Sequence, residues 1–261
     1  MPNGNKNSAE MVSVCIATYN GARYIKEQLL SILVQIGEDD EVVVSDDGST
    51  DGTLDIISSF NDRRIKVVDG PRQHSPTFNF ENALAMAKGD IIFLADQDDV
   101  WAEDKVRVCM EALTTADCVV SDAWVTDNRL NVTQPSLYAM MRINRSRLGS
   151  LLCRNGYTGC CMAFRRCVLN DALPFPKDIP MHDIWIGNVA AFFHTVKFID
   201  DRLVMFRRHD DAASCNGRGS RFSAWQKAMF RWHVAKRIAL LGLKKKEYSN
   251  GHLTQYHHTY I

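Results

Sequence analysis

Short apolar runs and helix-like segments alternate along the first half of the chain. Runs at residues 11–17, 41–45, 65–68 and 91–95 have the length and composition of buried strands. The segments between them carry apolar residues every three or four positions, which is the spacing of helices. Helices are predicted at residues 22–34, 54–60 and 79–87. This alternation predicts an α/β fold built on one Rossmann-like, mainly parallel sheet with helices on both faces.

The second half continues the pattern with longer irregular stretches. An apolar helix is predicted at residues 184–193, after the Pro174-Phe175-Pro176 break. A further helix is expected at residues 105–113, and strands are expected at residues 118–121, 162–164, 196–199 and 203–206. No internal repeat and no low-complexity segment interrupts this order, so one large domain with a C-terminal extension is the simplest organisation.

Polar side chains follow three of the predicted strands at the point where each strand ends. Residues 18–21 follow the first strand, residues 46–47 the second, and the carboxylates of residues 96–99 the fourth. Open α/β sheets bind ligands outside the carboxyl ends of their strands, so these groups are expected at one crevice. Clustered carboxylates repel one another unless a cation offsets them, and a hard divalent ion would do so. A solvated acidic turn is the alternative interpretation.

Charge is spread unevenly along the chain. Nine of the 31 Lys and Arg residues but one of the 31 acidic residues lie at or after Ala212, so the preceding part has a net charge of −8. An acidic body argues against a nucleic-acid-binding protein. The first strand is followed by neither a G-x-G-x-x-G nor a P-loop motif, which disfavours a dinucleotide site and a P-loop nucleotidase.

Targeting and redox signals point to the cytoplasm. Residues 1–10 are polar, and no apolar run approaches the ~18–20 residues that would span a bilayer. The eight cysteines form no C-x-x-C pair, and most lie among apolar residues. Buried free thiols of a cytoplasmic protein are therefore expected, without a zinc site.

The segment 218–246 contains nine basic residues and no acidic one. Apolar residues recur there at helical spacing, interrupted by Lys236: Phe222, Trp225, Met229, Trp232, Ala235, Ala239 and Leu243. This pattern predicts a basic amphipathic helix lying on an anionic membrane surface. The alternative is a helix docked on the catalytic domain with a basic outer face.

Six motifs in order resemble those of the family 2 glycosyltransferases, which have the GT-A fold. They are Ala17-Thr18-Tyr19-Asn20-Gly21, Asp46-Asp47-Gly48-Ser49-Thr50-Asp51, Ala95-Asp96-Gln97-Asp98-Asp99-Val100-Trp101, Thr158-Gly159-Cys160, His182-Asp183-Ile184-Trp185 and Arg207-Arg208-His209. The resemblance covers residues 12 to about 214, and its variants are similar to bacterial rhamnosyl- and glucosyltransferases of surface-polysaccharide assembly. It implies transfer of a sugar from a UDP- or dTDP-sugar to a hydroxyl of a polyprenyl-diphosphate-linked glycan, as in O-antigen, capsule or exopolysaccharide assembly.

The resemblance also implies roles for individual residues. Asp46 would accept a hydrogen bond from the pyrimidine N3–H, and Asp96 would face the ribose or diphosphate. The metal, Mn²⁺ or Mg²⁺, would be bound by Asp98 and His209. The remaining nucleotide-side residues would be Thr18, Tyr19 and Asn20. Arg72, which lies outside these motifs in the irregular segment before Asn79, is a further nucleotide-side candidate.

Asp183 is the expected general base. A carboxylate at the start of an apolar helix can be desolvated at a cleft edge, which raises its pKa. It would take the proton of the acceptor hydroxyl during a single displacement that inverts the anomeric carbon. A helix N-cap before Ile184 is the alternative role.

The expected organisation is a catalytic domain at residues 1–214 followed by a basic extension at residues 215–261. The nucleotide-sugar half of the domain would span about 11–122 and the acceptor half about 123–214. The protein is expected in the cytoplasm, peripheral on the inner face of the membrane. A non-catalytic nucleotide-sugar-binding or scaffold protein of the same fold is the alternative function. A nucleotidyltransferase is disfavoured because the loop after the first strand has one glycine and no basic residue before Arg23.

Overall fold

The computed structural model describes residues 10–209 and 223–256, with side chains described as far as residue 247. Its strands are β1 Val12–Thr18, β2 Glu41–Asp46, β3 Ile65–Asp69, β4 Ile91–Asp96, β5 Val100–Trp101, β6 Cys118–Thr126, β7 Val132–Gln134, β8 Met162–Arg165 and β9 Val196–Arg207. Its helices are α1 Ile25–Leu33, α2 Thr53–Ser59, α3 Pro76–Met86, α4 Lys105–Leu113, α5 Leu137–Met141, α6 Arg147–Leu152, α7 Arg166–Ala172, α8 His182–Phe193 and α9 Ala224–Tyr256. A 3₁₀ turn, Gly159–Cys161, precedes β8.

All the strands in the described residues belong to one sheet. Their order is β3-β2-β1-β4-β8-β6-β9-β5, with β7 paired to β6. The strands β1, β2, β3, β4, β6 and β9 run in one direction, while β5, β7 and β8 run antiparallel to their neighbours. The prediction of an α/β fold on a mainly parallel sheet is confirmed.

The centre of the sheet is completely buried, as its apolar sequence requires. Val14, Cys15 and Ile16 of β1 have no exposed surface, and neither do residues 91–95 of β4. A strand buried on both faces is apolar at most positions, which is why these strands lack the alternation of a half-exposed strand.

The crossover from β3 to β4 creates a ligand crevice. The chain leaves β1 for β2 and β3 on one side and then returns to β4 on the other side of β1. In the register of the sheet, Ala17 lies opposite Asp96 and Thr18 lies opposite Asp46. Three strand ends therefore open side by side at a topological switch point, which is where doubly wound sheets bind ligands.

Two stretches differ from their predictions. The strand expected at residues 118–121 continues to Thr126 as β6. The two strands expected at residues 196–199 and 203–206 are a single strand, β9, whose pairing with β6 shifts register twice. The polar residues Asp200, Asp201 and Arg202 between them resemble a turn in sequence, but they lie exposed along the irregular middle of the strand. A bulge lets a strand bend without ending, which sequence pattern does not reveal.

The C-terminal helix α9 packs through one face on the domain that contains the sheet. Val234 and Ile238 are buried there, and the Arg237 guanidinium forms two hydrogen bonds with the Asp178 carboxylate, at 2.8 and 3.0 Å. Within the described ranges, no helix is both long and apolar enough to cross a membrane. The predicted boundary between residues 214 and 215, and Phe222, lie outside the described residues.

Candidate active site

Hydrogen bonds fasten together the loops that follow β1 and β2. Thr18 Oγ1 donates to Asp46 Oδ1 at 3.0 Å, and the backbone N–H of Asn20 donates to Ser49 Oγ at 2.8 Å. Asn20 has a φ of 50° and accepts a hydrogen bond from the Thr50 N–H on its side-chain oxygen. This left-handed conformation is one that asparagine tolerates better than most residues. The side chains of Thr18 and Asn20 thus hold the rim of the crevice in shape.

The two adjacent carboxylates after β2 have different surroundings. Asp46 is buried and accepts four hydrogen bonds, from Thr18 Oγ1, Ser49 Oγ and the backbone N–H groups of Gly48 and Ser49. Two carboxylate oxygens offer about four acceptor positions, so the protein itself satisfies Asp46. Asp47 is also buried, but within the described residues its side chain accepts a single hydrogen bond, from the Gln73 N–H at 3.3 Å. The resemblance gave the base-recognising role to Asp46, whereas Asp47 has the acceptor capacity for it.

Tyr19 and the loop that contains Arg72 form an exposed edge beside these carboxylates. The Tyr19 ring is 42% exposed and lies 4.6 Å from the His74 ring. Arg72 and His74 both have left-handed backbone conformations, with φ values of 55° and 49°. Such conformations cost energy outside glycine and concentrate at ligand-binding sites. The structure therefore brings the predicted nucleotide-side residues Tyr19 and Arg72 to the same rim.

The three acids after β4 point to different neighbours. Asp99 is buried, and its Oδ1 accepts the backbone N–H of Arg207 at 2.8 Å, which ties the end of β9 to this loop. Asp96 is half-buried at the crevice, and burial together with the charges of Asp98 and Asp183 raises its pKa to about 7. Burial and the charges of Asp98 and Asp96 also raise the pKa of Asp99 well above its usual range. Burial and the neighbouring carboxylates therefore favour the protonated forms of Asp96 and Asp99 when no cation offsets the negative charge.

Asp98 and His209 meet although they are far apart in the sequence. Asp98 Oδ2 lies 2.7 Å from His209 Nε2, so a carboxylate oxygen and an imidazole nitrogen converge at the mouth of the acidic pocket. A carboxylate, an imidazole and phosphate oxygens make a donor set that suits Mn²⁺, and the oxygens suit Mg²⁺. The excess of carboxylates is the second feature that fits a divalent cation.

Two residues that received no role from the sequence, Lys105 and the motif residue Cys160, complete the floor of this pocket. Lys105 is fully buried, donates to the carbonyl of Cys160 at 2.8 Å and lowers the pKa of Asp96 by its charge. Hydrogen bonding to Cys161 and burial raise the pKa of the Cys160 thiol, so it remains protonated between Asp96 and Asp99. In sequence, Lys105 looks like an ordinary helix-surface lysine, and only its position four residues after Trp101 links it to the acidic motif.

Asp183 opens α8 from the opposite side of the crevice. Its Oδ2 accepts the backbone N–H of Gly159 at 3.3 Å, and its Oδ1 accepts that of Ile184 at 2.7 Å. Burial raises the pKa of Asp183 to about 6, and its charge raises the pKa of Asp96. The predicted base therefore lies near enough to the predicted donor-binding acid for their charges to interact, and its pKa is near the range where a general base works best.

Gly159 and His182 support this carboxylate. A Cβ atom at residue 159 would lie 2.9 Å from His182 Nε2 and 3.6 Å from the Cβ of Asp183, so a side chain there would collide with the imidazole. The His182 ring is buried and stacks on Phe80 with 4.0 Å between centroids. Burial lowers the pKa of His182 to about 3, which keeps the ring neutral. His182 thus packs behind the base without adding charge.

Comparison with known proteins places these features in a family. The sequence model described as Glycosyl transferase family 2 matches residues 13–173. An uncharacterized glycosyltransferase of Nostoc sp. is 28% identical over 76% of this chain and 65% of its own length. The dTDP-rhamnosyl transferase RfbG of Shigella flexneri is 26% identical over 75% of this chain and 72% of its own length.

The fold has counterparts among solved structures. The crystal structure of S. aureus TarS residues 1–349 in complex with UDP-GlcNAc superimposes with a TM-score of 0.67 and 22% identity, covering 88% of this chain and 66% of that one. The predicted GT-A fold is confirmed by this match. The chain spans slightly less than two thirds of the length of both the Nostoc protein and the TarS fragment.

Proposed function

Because this chain belongs to glycosyl transferase family 2, we propose that it transfers a sugar from a UDP- or dTDP-sugar to a glycan hydroxyl with inversion at the anomeric carbon. The observation that carries this proposal is that Asp183 lies near enough to Asp96 to raise its pKa, as does Asp98, which pairs with His209. A base, a donor-facing acid and a metal-binding pair are the groups that a single displacement on a nucleotide sugar requires.

The nucleotide would bind at the rim formed by the loops after β1 and β2. Tyr19 offers an exposed ring for stacking, and Arg72 lies on the neighbouring loop. We assign recognition of the pyrimidine N3–H to Asp47, because the Asp46 carboxylate is already satisfied. Thr18, Asn20 and Asp46 then act by holding the loops in shape. The UDP-GlcNAc of TarS and the dTDP-sugar of RfbG both contain a base with an N3–H, which supports this class of donor.

Asp98 and His209 would hold the divalent cation, Mn²⁺ or Mg²⁺. When bound, the cation neutralises the negative charge that develops on the leaving diphosphate, as a Lewis acid does. Asp96 would contact the ribose or diphosphate from the neighbouring position. Asp99 and Lys105 are more deeply buried. Asp99 would hold the loop after β4 to the end of β9, and the positive charge of Lys105 would offset part of the negative charge of the carboxylates.

Asp183 would activate the acceptor. As the acceptor oxygen attacks the anomeric carbon from the face opposite the nucleotide, its proton moves to the Asp183 carboxylate. The bond between the anomeric carbon and the diphosphate oxygen breaks, and its electron pair leaves with the nucleoside diphosphate. The N–H groups of Gly159 and Ile184 hold the carboxylate in one orientation throughout this step.

We assign the acceptor to the class of polyprenyl-diphosphate-linked glycans, as used in O-antigen, capsule or exopolysaccharide assembly. RfbG, as a dTDP-rhamnosyl transferase, supports the comparison with bacterial sugar transfer. The protein would then work in the cytoplasm, peripheral on the inner face of the membrane and in contact with anionic lipid through residues 218–246. The basic charge of that segment supports the contact.

The direct test is a donor screen with UDP- and dTDP-sugars against a lipid-diphosphate acceptor, with EDTA as the control. We expect release of nucleoside diphosphate that depends on acceptor and is abolished by EDTA. Release of pyrophosphate would indicate a nucleotidyltransferase instead. Tight nucleotide-sugar binding without turnover on any acceptor would favour the non-catalytic alternative.

A further inference from the structure

The helix α9 presents a row of apolar side chains to solvent. We call Trp225, Met229, Trp232, Lys236, Leu240 and Leu243 the outer stripe, because these residues recur every three or four positions on one face. Trp225 is 77% exposed, Trp232 is 67% exposed and Leu243 is 60% exposed. An exposed row of large apolar residues on a helix marks an interaction surface.

The opposite face of the same helix is already used. Val234 and Ile238 are buried against the domain, Gly242 lies against Phe193, and Arg237 pairs with Asp178. Packing of α9 on the domain therefore leaves the outer stripe exposed. The two interpretations of this segment, a docked helix and a surface-binding helix, describe its two faces.

A neighbouring helix adds to the apolar surface at the N-terminal end of α9. Leu148 and Leu152, one turn apart on α6, are both more than half exposed. Arg231 donates a hydrogen bond to the carbonyl of Cys153, which directly follows α6. This contact places the C-terminal end of α6 beside the turn of α9 that carries Arg231.

The charged side chains of α9 are positive as far as Lys246, and Glu247 is the acidic residue that follows the C-terminal end of the outer stripe. Residues 227–246 contain seven basic side chains and no acidic one. Lys236, within the stripe, is exposed, and so are Lys244 and Lys246 at its C-terminal end. A second copy of this chain on the same face would bring like charges together, whereas an anionic surface would offset them.

We propose that the outer stripe binds the surface of an anionic lipid bilayer and thereby holds the acceptor side of the crevice at the membrane. Aromatic and basic side chains on one helix are the combination that partitions into the headgroup region. Asp178, which Arg237 and His233 of α9 contact, precedes Asp183 by five residues, so the two Cα atoms are within roughly 18 Å. The link to a lipid-borne acceptor rests on the proposed transferase function; the membrane contact itself does not.

The test uses the full chain with vesicles of phosphatidylcholine alone and of phosphatidylcholine mixed with phosphatidylglycerol. We expect co-sedimentation with the anionic vesicles, weakened by salt, and a loss of about tenfold or more per tryptophan in the Trp225→Ser/Trp232→Ser variant. The matched control is Leu30→Ser/Val34→Ser, which removes two exposed apolar residues at α1 and should leave vesicle binding unchanged.

Three further measurements separate the possible outcomes. Circular dichroism establishes that the tryptophan variant keeps its helices, and quenching of tryptophan fluorescence by brominated lipid tests the contact in the unaltered chain. Sedimentation velocity tests for a second copy as the occupant. Two results would overturn the proposal. One is an unaltered chain that does not bind anionic vesicles, and the other is a dimeric unaltered chain whose tryptophan variant is monomeric but binds vesicles normally.

The proposal and the catalytic function can fail independently. The tryptophan variant should retain nucleotide binding and transfer to a water-soluble acceptor, but lose transfer to an acceptor embedded in anionic vesicles. Conversely, Asp183→Asn should bind vesicles normally without transferring sugar. If the tryptophan variant keeps full transfer on vesicles, the stripe does not present the acceptor.

Discussion

Asp46 and Asp47 are neighbours with the same side chain, yet the structure predicts that the same substitution affects a different property at each position. Asp46→Asn replaces a carboxylate that accepts four hydrogen bonds with an amide that retains one acceptor oxygen. Asp47→Asn changes a carboxylate whose contact in the described residues is a 3.3 Å bond from the Gln73 N–H. The first substitution should therefore destabilise the fold, and the second should weaken donor binding.

The expected magnitudes follow from the number of bonds. In Asp46→Asn, the amide oxygen can still accept the N–H groups of Gly48 and Ser49, while the amide nitrogen must donate to the hydroxyls of Thr18 and Ser49. All four bonds lose their charge-assisted character, at about 0.5–1 kcal/mol each. A loss of about 2–4 kcal/mol lowers the Tm of a chain this size by roughly 5–15 °C. Asp47→Asn should change the unfolding free energy by less than about 1 kcal/mol. Replacing its charge-assisted bond to the base with a neutral one costs about 1–2 kcal/mol, or roughly a 5- to 30-fold weaker UDP affinity.

The assay pairs thermal unfolding with calorimetric titration of UDP and of N3-methyl-UDP. The unaltered chain should bind the methylated nucleotide more weakly, because the N3–H is missing. The Asp47→Asn variant should bind UDP more weakly and retain a smaller preference over the methylated nucleotide, because only a neutral hydrogen bond to the N3–H remains. Asp46→Asn should keep the full preference for UDP at temperatures where it is folded. If Asp46→Asn abolishes that preference without lowering the Tm, the assignment to Asp47 is wrong.

Four other predictions concern catalysis. Asp183→Asn should lower kcat by a factor of about 10²–10⁴ with little change in UDP affinity, and undiminished turnover would remove Asp183 as the base. Because Asp183 must be ionised to accept a proton and burial raises its pKa to about 6, kcat/KM should be flat well above pH 6 and fall about tenfold per unit below it; a profile that is flat down to about pH 4 would contradict this. Asp98→Asn and His209→Ala should each weaken Mn²⁺ binding, measured by titration of the nucleotide-bound protein, whereas unchanged affinity in both variants would exclude this pair as ligands. Gly159→Ala should displace His182 and reduce transfer while preserving UDP binding, and an active variant would show that the 2.9 Å clash relaxes harmlessly.

Much of the fold could be predicted because its signals are local. The buried strand β4 is apolar from Ile91 to Ala95, β1 is apolar except for Ser13 and Thr18, and α4 lies at the residues that its apolar spacing indicates. The polar breaks after β1, β2 and β4 likewise located the crevice. The single strand β9 could not be predicted, because a bulge and three polar residues imitate a turn until the partner strand β6 is known.

The sequence by itself therefore determined the fold class and the set of candidate groups, since both depend on residue type and spacing along the chain. Tertiary structure decided which groups were available. It satisfied Asp46 with protein donors and left Asp47 with spare acceptor capacity, and it brought His209 within 2.7 Å of Asp98 across 111 positions. It also determined which face of α9 packs on the domain. Hydrophobic spacing identifies an apolar stripe, but whether that stripe is covered depends on the shape of the whole domain.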